Sequence, residues 1–500
     1  MLIAIFILAI LIRFLYFPEN IYFSYDGARD SFAALDILTG NLKIVGPPTS
    51  LSSGLFHGVL FYYLIAPAYF LGFHNPEVVS FLLRIINALG IFLAFGLGSI
   101  IFNKWIGFLA ALLFAVSYEQ SQYSLIFGHP SPSPLTVLIF YLGMALFLFK
   151  NKQYGLMIAL MGLGLSVQLE AVYGLLILVL LLIVIAFRKQ FKNLTLKTIV
   201  ISTAVFLLSV STFILGELKF NFRSTKAIFN ILNSFSKSDG SNLSDFTYIF
   251  SVIQRFFKDN LVAVDGLVNL ILVLTVVILF LLYRSRDLRP KIVFLLIWFV
   301  GGFLPHILSA RFSYYYSGGA TVSLIILASY LIYRLFLKWK IAAVILTLMI
   351  VVGNLHLILK NNISGPNSDI IIQPGMFISD QKKVIDYIYI KAGGKPFSIN
   401  ALTVPLFVNT TWSYLFEWYG QERYGILPVW GGDAAAGFPG NLKIVTSRSD
   451  LPLTRFLIIE PVVGISDYIV ADFINKENYF SKVIQEQKFG TIKVQKREKY

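Results

Sequence analysis

The sequence predicts an α-helical polytopic membrane protein with a soluble α/β domain at its C-terminal end. Of its 500 residues, 57% are hydrophobic and only 13% are charged, and the mean hydropathy is +0.75. A soluble chain of this length could not bury so much apolar surface in one core. The apolar residues also form long runs, and a bilayer crossing needs ~20 of them in succession.

Two features of the composition exclude whole classes of function. A net charge of +15 suggests a nucleic-acid partner on a soluble protein. Here the basic residues lie between apolar runs, so membrane lipids and no nucleic acid are the expected surroundings. The chain has no cysteine, which excludes disulfides, thiolate catalysis and zinc–thiolate sites.

About eleven apolar segments are predicted to cross the bilayer. They belong to a membrane domain over residues 1–360, in which residues 18–75 form the first outer loop with juxtamembrane helices. Residues 361–500 are predicted to form the soluble α/β domain, with a helix at Gln381–Ala392 and strands at Phe456–Glu460 and Thr491–Lys496. The predicted spans cover residues 2–17, 79–102, 105–117, 133–149, 154–169, 171–187, 197–216, 262–283, 291–308, 317–337 and 340–359.

Basic residues in alternate connections determine the predicted orientation. Fourteen lie on one side, against the single acid Asp287. By the positive-inside rule that side is cytoplasmic, so we expect a multi-pass plasma-membrane protein with a cytoplasmic N-terminus and an extracytoplasmic C-terminal domain and active site. If Val59–Phe73 also crossed the bilayer, the basic connections that follow it would all lie outside. We therefore predict that this segment is an interfacial or re-entrant helix. The fourteen are Lys104, Lys150, Lys152, Arg188, Lys189, Lys192, Lys197, Arg284, Arg286, Arg289, Lys291, Arg334, Lys338 and Lys340.

The first outer loop carries an acidic motif on a predicted short helix. Ser24–Gly40 is amphipathic, with Asp26 as a plausible N-cap and Gly40 as a stop. Asp26 and Asp30 are four residues apart and share a face, with Arg29 beside them. The structural interpretation is a helix cap and an ion pair. The chemical interpretation makes Asp26 a general base that takes the proton of an attacking hydroxyl.

Further polar and aromatic side chains lie in connections predicted to face outward. The cations among them can stabilise a departing phosphate, and the two glutamates must face water or line a cavity. The aromatic residues suit stacking on a sugar or an interface belt. A purely structural role stays open for each. The candidate substrate-binding residues are Arg29, Asp30, His57, Tyr62, Tyr63, Glu119, His129, Gln168, Glu170, Arg311 and Tyr315.

These motifs together resemble the N-terminal signature of the GT-C membrane glycosyltransferases. Within that class the chain is similar to the branch of dolichyl-phosphate-mannose protein mannosyltransferases and lipid A aminoarabinose transferases. The residues that carry the resemblance are Ile12-Arg13-Phe14, Tyr25-Asp26-Gly27-Ala28-Arg29-Asp30, Gly46-Pro47-Pro48, Phe56-His57-Gly58, Tyr62-Tyr63, Tyr123-Ser124, His129-Pro130-Ser131, Gln168-Leu169-Glu170 and Gly216-Glu217-Leu218-Lys219.

The resemblance implies a polyprenyl-phosphate-linked sugar donor and, usually, inversion at the anomeric carbon. Asp26 matches the aspartate that opens the family's acidic motif, which assigns it the role of base. Relatives often carry glutamate at the next position, where this chain has Gly27, so Asp30 is a candidate for the second carboxylate. His57 occupies a place where relatives carry a histidine or a lysine near the donor phosphate. The acceptor stays open among a glycan, a protein and a lipid.

Two alternatives to a glycosyltransferase remain. A transporter or flippase for lipid-linked saccharides tends to carry paired repeats and mid-membrane ionisable residues, whereas here the ionisable residues lie near span ends. An O-antigen-ligase-like enzyme usually has its main functional loop late in the chain. The sequence has no HExxH motif, phosphate-cradling glycine loop or serine-nucleophile elbow. It therefore predicts no required metal or cofactor, and a divalent cation near Asp26 stays open.

Overall fold

The chain forms two compact units, each assembled from separate stretches of sequence. The structure is a computed structural model that describes residues 1–49, 54–237, 246–308, 313–367, 372–433 and 437–500. The helical unit comprises Met1–Leu15, Lys43–Phe61 and Leu82–Asn362, and the mixed unit comprises Tyr16–Leu42, Tyr62–Phe81 and Ile363–Tyr500. The expected division after residue 360 lies near one boundary between the units. Two stretches of the first outer loop, however, belong to the mixed unit.

The helices of the described residues follow the apolar and amphipathic segments of the sequence. In chain order they are α1 (Leu2–Arg13), α2 (Tyr25–Leu38), α3 (Leu60–Leu71), α4 (Pro76–Ile101), α5 (Lys104–Val116), α6 (Tyr118–Leu125), α7 (Ser133–Lys150), α8 (Tyr154–Leu169), α9 (Leu176–Ala186), α10 (Arg188–Phe191), α11 (Leu196–Ser209), α12 (Ser211–Lys219), α13 (Arg223–Lys237), α14 (Phe246–Lys258), α15 (Asp265–Tyr283), α16 (Arg289–Gly301), α17 (Leu304–Leu308), α18 (Thr321–Phe336), α19 (Lys340–Asn361), α20 (Ile378–Ala392), α21 (Thr410–Leu415), α22 (Gln421–Tyr424) and α23 (Asp467–Asn478).

The apolar helices identify a membrane protein. Within the described residues, four helical segments are long and apolar enough to cross a bilayer, and α11 with α12 forms a fifth candidate that is bent by 60°. Each of the eleven predicted spans overlaps a helix, but several are shorter than a crossing, so the number of crossings stays a prediction. The segment predicted as interfacial is α3, whose 12 residues are too few to cross ~30 Å of hydrocarbon. The four long segments are Pro76–Ile101, Ser133–Lys150, Gly266–Tyr283 and Lys340–Ser364.

Apolar packing and buried polar groups hold the helical unit together. In it α7 packs on α8, α8 on α11, and α18 on α5 and α19. The ring of Trp298 stacks on that of Tyr141, with centroids 4.1 Å apart. The buried guanidinium of Arg13 donates to Asn87 Oδ1 at 2.6 Å and to the Ala115 carbonyl at 2.9 Å. Because Ala115 lies in the last turn of α5, the positive charge of Arg13 also interacts favourably with the negative end of the dipole of that helix.

A five-stranded sheet forms the centre of the C-terminal part of the mixed unit. Its strands are β1 (Phe397–Leu402), β2 (Val429–Trp430), β3 (Thr454–Ile459), β4 (Ser481–Phe489) and β5 (Ile492–Lys499). They lie in the order β2-β1-β3-β5-β4. β1 runs parallel to β2 and β3, whereas β5 runs antiparallel to β3 and β4. Every residue of β1 is buried. The predicted small α/β domain is confirmed, with α20, β3 and β5 at the predicted positions.

Helix α2 is attached to the C-terminal part of the mixed unit. The backbone amide of Phe23, just before the helix, donates to the Met376 carbonyl at 2.8 Å. The side-chain amide of Gln381 donates to the Phe23 carbonyl, also at 2.8 Å. Within α2, the ring of Phe32 meets that of Tyr414 edge to face, with centroids 5.5 Å apart. Residues near the end of the chain therefore determine where the acidic helix lies in this unit.

Candidate active site

Helix α2 exposes the carboxylate of Asp26 at its first turn. The N-cap is Ser24, so the prediction that Asp26 caps the helix is wrong by two positions. The helix ends at Leu38, and Gly40 follows with a φ of 95°, which confirms the predicted stop. A carboxylate in the first turn is stabilised by the positive end of the helix dipole. The Asp26 side chain is 68% exposed, so it is accessible to a substrate.

Two carboxylates compensate the charge of Arg29. Its guanidinium lies 2.6 Å from Asp26 Oδ1 and 2.7 Å from Asp30 Oδ1. Burial alone would lower the pKa of Arg29, but the Asp30 and Asp26 carboxylates together raise it above its ordinary value. Tyr62 is buried on α3 and interacts with Arg29, whereas Tyr63 is partly exposed. The Arg29 guanidinium therefore pairs with both carboxylates, of which that of Asp26 is exposed and that of Asp30 is buried.

His57, His129 and Glu170 form a second group, in the helical unit. The Nδ1 atom of His129 lies 2.8 Å from Glu170 Oε1, and that of His57 lies 3.3 Å from Glu170 Oε2. The Glu170 side chain is fully buried. Burial raises the pKa of its carboxyl to about 7, against the opposing effect of His57. Three residues from three separate connections thus share one buried position.

Backbone pairing holds the segment that carries His57. The His57 amide donates to the Pro47 carbonyl at 2.9 Å, and the Gly46 amide donates to the His57 carbonyl at 3.2 Å. These two bonds form a short antiparallel ladder between the segments, which satisfies the backbone groups of a connection without regular secondary structure. The predicted motif residues Gly46-Pro47 and His57 are therefore direct neighbours.

Gln168 attaches the same segment to the surrounding helices. Its side-chain oxygen accepts from the Val59 amide at 3.2 Å, and its side-chain nitrogen donates to the Ser209 carbonyl at 3.0 Å and to Thr212 Oγ1 at 2.7 Å. The contact is close enough to require glycine at position 58, because a Cβ there would overlap the Gln168 side-chain oxygen. Gln168 therefore holds the backbone two residues after His57.

His57 and Arg223 are the basic groups of a cavity of about 220 Å³ in the helical unit. Arg223 begins α13, and its guanidinium carbon lies 5.3 Å from the ring centroid of Phe56. Glu217 accepts from the Ser224 amide at 2.9 Å, so the amino end of α13 is already capped by a carboxylate. The apolar walls are formed by Ile44, Val45, Phe56, Phe213 and Phe220.

The remaining predicted residues lie away from the cavity or outside the described residues. Glu119 is buried and accepts from the side-chain amide of Asn260 at 2.6 Å, and burial raises the pKa of its carboxyl to about 7. Tyr315 is buried, and its carbonyl accepts from the Tyr123 hydroxyl at 3.0 Å. Neither lines the cavity. Arg311 lies outside the described residues.

Arg223 is a cavity residue that was not among the predicted site residues. The sequence offered a signal, since Arg223 follows the Gly216-Glu217-Leu218-Lys219 segment at the start of the connection between the predicted spans 197–216 and 262–283. A single cation in a long polar loop is nevertheless common, and its approach to Phe56 requires two segments far apart in sequence. Only the folded chain brings Arg223 and His57 to one cavity.

Comparison with known proteins agrees with this architecture. Residues 56–215 match the family model of dolichyl-phosphate-mannose-protein mannosyltransferase. ArnT from Cupriavidus metallidurans, in a crystal structure bound to undecaprenyl phosphate, aligns with a TM-score of 0.63 over 99% of this chain and 97% of that chain. The resemblance to the GT-C glycosyltransferases is confirmed. The apo crystal structure of the same ArnT aligns with a TM-score of 0.61.

A second GT-C protein has a similar structure over a smaller part of its length. The apo crystal structure of the Archaeoglobus fulgidus oligosaccharyltransferase aligns with a TM-score of 0.53, over 82% of this chain and 63% of that chain. The chain is 12% identical in sequence to the archaeal oligosaccharyltransferase and 11% identical to ArnT. At these identities the alignments establish a shared fold. Comparison with curated protein sequences gave no match.

We predict that Gly58→Ala destabilises the helical unit. The added methyl group must displace the Gln168 amide or break its hydrogen bond to Val59, at a cost of roughly 1–3 kcal/mol for overpacking. The measurement is the midpoint of thermal unfolding of the purified protein in detergent. Gly266→Ala is the matched control, because a Cβ at Gly266 meets no atom within 4 Å. An unfolding midpoint for Gly58→Ala equal to that of the control would contradict the close contact.

Proposed function

We propose that the protein is a glycosyltransferase that moves a hexosyl or pentosyl group from a polyprenyl-phosphate donor to an extracytoplasmic acceptor. The cavity of His57 and Arg223 carries the proposal. A polyprenyl phosphate has an anionic head and a long apolar chain, and this cavity combines two basic side chains with apolar walls. The carboxylate of Glu217 also lines the cavity, where it accepts from the Ser224 amide at the amino end of α13. Undecaprenyl phosphate, the lipid bound in the similar ArnT structure, belongs to the same chemical class.

His57 and Arg223 are assigned to the donor phosphate. Guanidinium groups bind phosphate oxygens through paired, charge-assisted hydrogen bonds. During transfer the bond between the anomeric carbon and the phosphate oxygen breaks, and the phosphate leaves with additional negative charge. Cations placed against that phosphate strengthen binding of the donor and also lower the barrier to departure of the phosphate. Arg29 is less suited to this task because Asp26 and Asp30 already compensate its charge.

Asp26 is assigned the role of general base. An acceptor hydroxyl attacks the anomeric carbon, its proton passes to the Asp26 carboxylate, and the new glycosidic bond forms as the bond to phosphate breaks. A single displacement of this kind inverts the configuration at the anomeric carbon. Asp26 is exposed and lies in the first turn of α2, so its carboxylate is reachable by an acceptor.

The predicted orientation belongs to the same proposal. The active site and the C-terminal domain face the extracytoplasmic side of the plasma membrane, and the N-terminus faces the cytoplasm. The acceptor is a glycan, a protein or a lipid on that side. A transporter of lipid-linked saccharides would carry the intact donor across the bilayer without consuming it, which makes product formation the deciding measurement.

We predict that Asp26→Asn lowers sugar transfer by a factor of roughly 10²–10⁴, because asparagine cannot accept the proton of the acceptor hydroxyl. The assay contains purified protein in liposomes, a polyprenyl-phosphate sugar and an extract of acceptors. Asp36→Asn, which removes a carboxylate from the same helix, should leave transfer unchanged. Undiminished transfer by Asp26→Asn would make the base assignment wrong. Movement of intact donor across the bilayer without product would make the enzyme assignment wrong.

We predict that Arg223→Ala raises the KM for the lipid donor by roughly tenfold to a hundredfold, as expected when a hydrogen bond to a charged group is lost. Initial rates at varied donor concentration measure this. The control is Lys219→Ala, which removes an exposed base four residues earlier that lies outside the cavity lining. An equal KM for the two variants would show that the donor phosphate does not use Arg223.

We predict opposite accessibility for two single cysteines. The chain has no cysteine of its own, so Tyr468→Cys in the C-terminal domain and Lys152→Cys between α7 and α8 each give one exposed thiol. A membrane-impermeant maleimide added to intact cells should label Tyr468→Cys alone, and Lys152→Cys only after permeabilisation. The unsubstituted chain is the control for background labelling. The reverse pattern would overturn the proposed orientation.

A further inference from the structure

Three potential metal ligands converge in the helical unit from three separate connections. His57 precedes α3, His129 lies between α6 and α7, and Glu170 lies between α8 and α9. Each offers one ligand atom, and these atoms all lie within 4.8 Å of one another. The two imidazole rings are neighbours, with centroids 4.4 Å apart and planes inclined by 36°. Both direct Nδ1 toward the Glu170 carboxylate.

The spacing of these atoms agrees with a small coordination sphere. Zinc bonds of ~2.0–2.2 Å in a tetrahedral arrangement place neighbouring ligand atoms roughly 3.3–3.6 Å apart. The observed separations are 3.3 Å from His57 Nδ1 to Glu170 Oε2 and 2.8 Å from His129 Nδ1 to Glu170 Oε1. The first already fits this range, whereas the second must lengthen by roughly 0.5–0.8 Å for an ion to bind between the imidazole of His129 and the carboxylate.

Charge compensation also favours a cation at this position. The Glu170 side chain is fully buried, and a buried carboxylate must be paired or must bind a metal to offset its loss of hydration. In the described part of the chain, its ion-pair partners are the two histidines. A divalent cation at this position would contact all three side chains at once.

We propose that His57, His129 and Glu170 bind one divalent transition-metal ion of the zinc class. Two imidazoles and one carboxylate suit zinc and its neighbours, whereas magnesium and calcium prefer ligand sets made of oxygen. Three protein ligands leave a fourth position for water or a substrate oxygen, as in catalytic rather than structural zinc sites. The sequence marks all three residues as candidates for substrate binding, but it does not group them because they lie in three distant connections.

The surrounding hydrogen bonds hold two of the ligands in place. The Gln168 side chain holds the backbone beside His57, through the Val59 amide. The Glu170 amide donates to the Ser166 carbonyl at 2.9 Å, and the Glu170 carbonyl accepts from the Tyr173 amide at 3.0 Å. Such support for the ligands is a requirement for a site that binds tightly. Since His57 also lines the cavity, the ion would add positive charge at its wall. A role of the ion in the departure of the donor phosphate rests on the proposed function, whereas binding of the ion to these three residues does not.

Direct metal analysis of the full-length protein tests the proposal. The protein is purified without a polyhistidine tag, treated with EDTA, exposed to zinc and desalted, and bound zinc is measured by mass spectrometry. We expect about one zinc per chain, and affinity lowered by at least tenfold in Glu170→Gln and His129→Ala, as when a ligand or its support is removed. His356→Ala, which removes an exposed histidine of α19, should bind as the unsubstituted chain does.

Cobalt provides a second measurement that needs no variant. Addition of Co²⁺ to the metal-free chain should give the visible absorption of a four-coordinate site, and one equivalent of Zn²⁺ should abolish it. Zinc should also raise the unfolding midpoint of the unsubstituted chain, but not that of Glu170→Gln. Equal zinc content in Glu170→Gln and the unsubstituted chain, or no cobalt absorption, would overturn the site in favour of a hydrogen-bonded cluster without metal. These measurements use no donor, so their outcome is independent of whether sugar transfer is found.

Discussion

The side-chain amide of Gln168 is the contact on which the candidate donor site depends. It satisfies the Val59 amide beside His57 and, at the same time, two acceptors at the ends of α11 and α12. An amide buried in an apolar helical unit must complete its hydrogen bonds within the protein. Gln168 does so by joining Thr212, which lines the cavity, to the segment that presents His57. The requirement for glycine at position 58 is a direct result of this contact.

The mixed unit uses a different principle to position the candidate base. The base lies on an amphipathic helix of 14 residues, which is marginal in isolation. Backbone pairing of Phe23 with Met376 and the ring contact between Phe32 and Tyr414 supply the missing packing. The C-terminal domain is therefore part of the support for the acidic helix, in addition to any role in binding an acceptor.

The sequence predicted features that depend on local pattern and missed those that depend on distant pairing. Apolar runs located the helices, and alternation in the tail located α20, β3 and β5. The stop at Gly40 was correct, but the N-cap was misplaced because Ser24 and Asp26 both satisfy the same local preference. The convergence of His57, His129 and Glu170 and the approach of Arg223 to Phe56 are non-local, so no spacing rule reveals them. For Arg29 the sequence left an ion pair and a role at the phosphate both open, and the structure shows that two carboxylates share its guanidinium.

The assembly of the mixed unit from both ends of the chain has a consequence for biosynthesis. Helix α2 leaves the ribosome more than three hundred residues before α21, the element on which it packs. At roughly 5–20 residues per second, that interval is on the order of tens of seconds. During this time the acidic helix has no partner from the C-terminal domain, while the helices of the helical unit are already entering the bilayer. The nascent chain therefore acquires its membrane-embedded part first, and the segment that carries Asp26 gains this packing partner only after α21 has been synthesised.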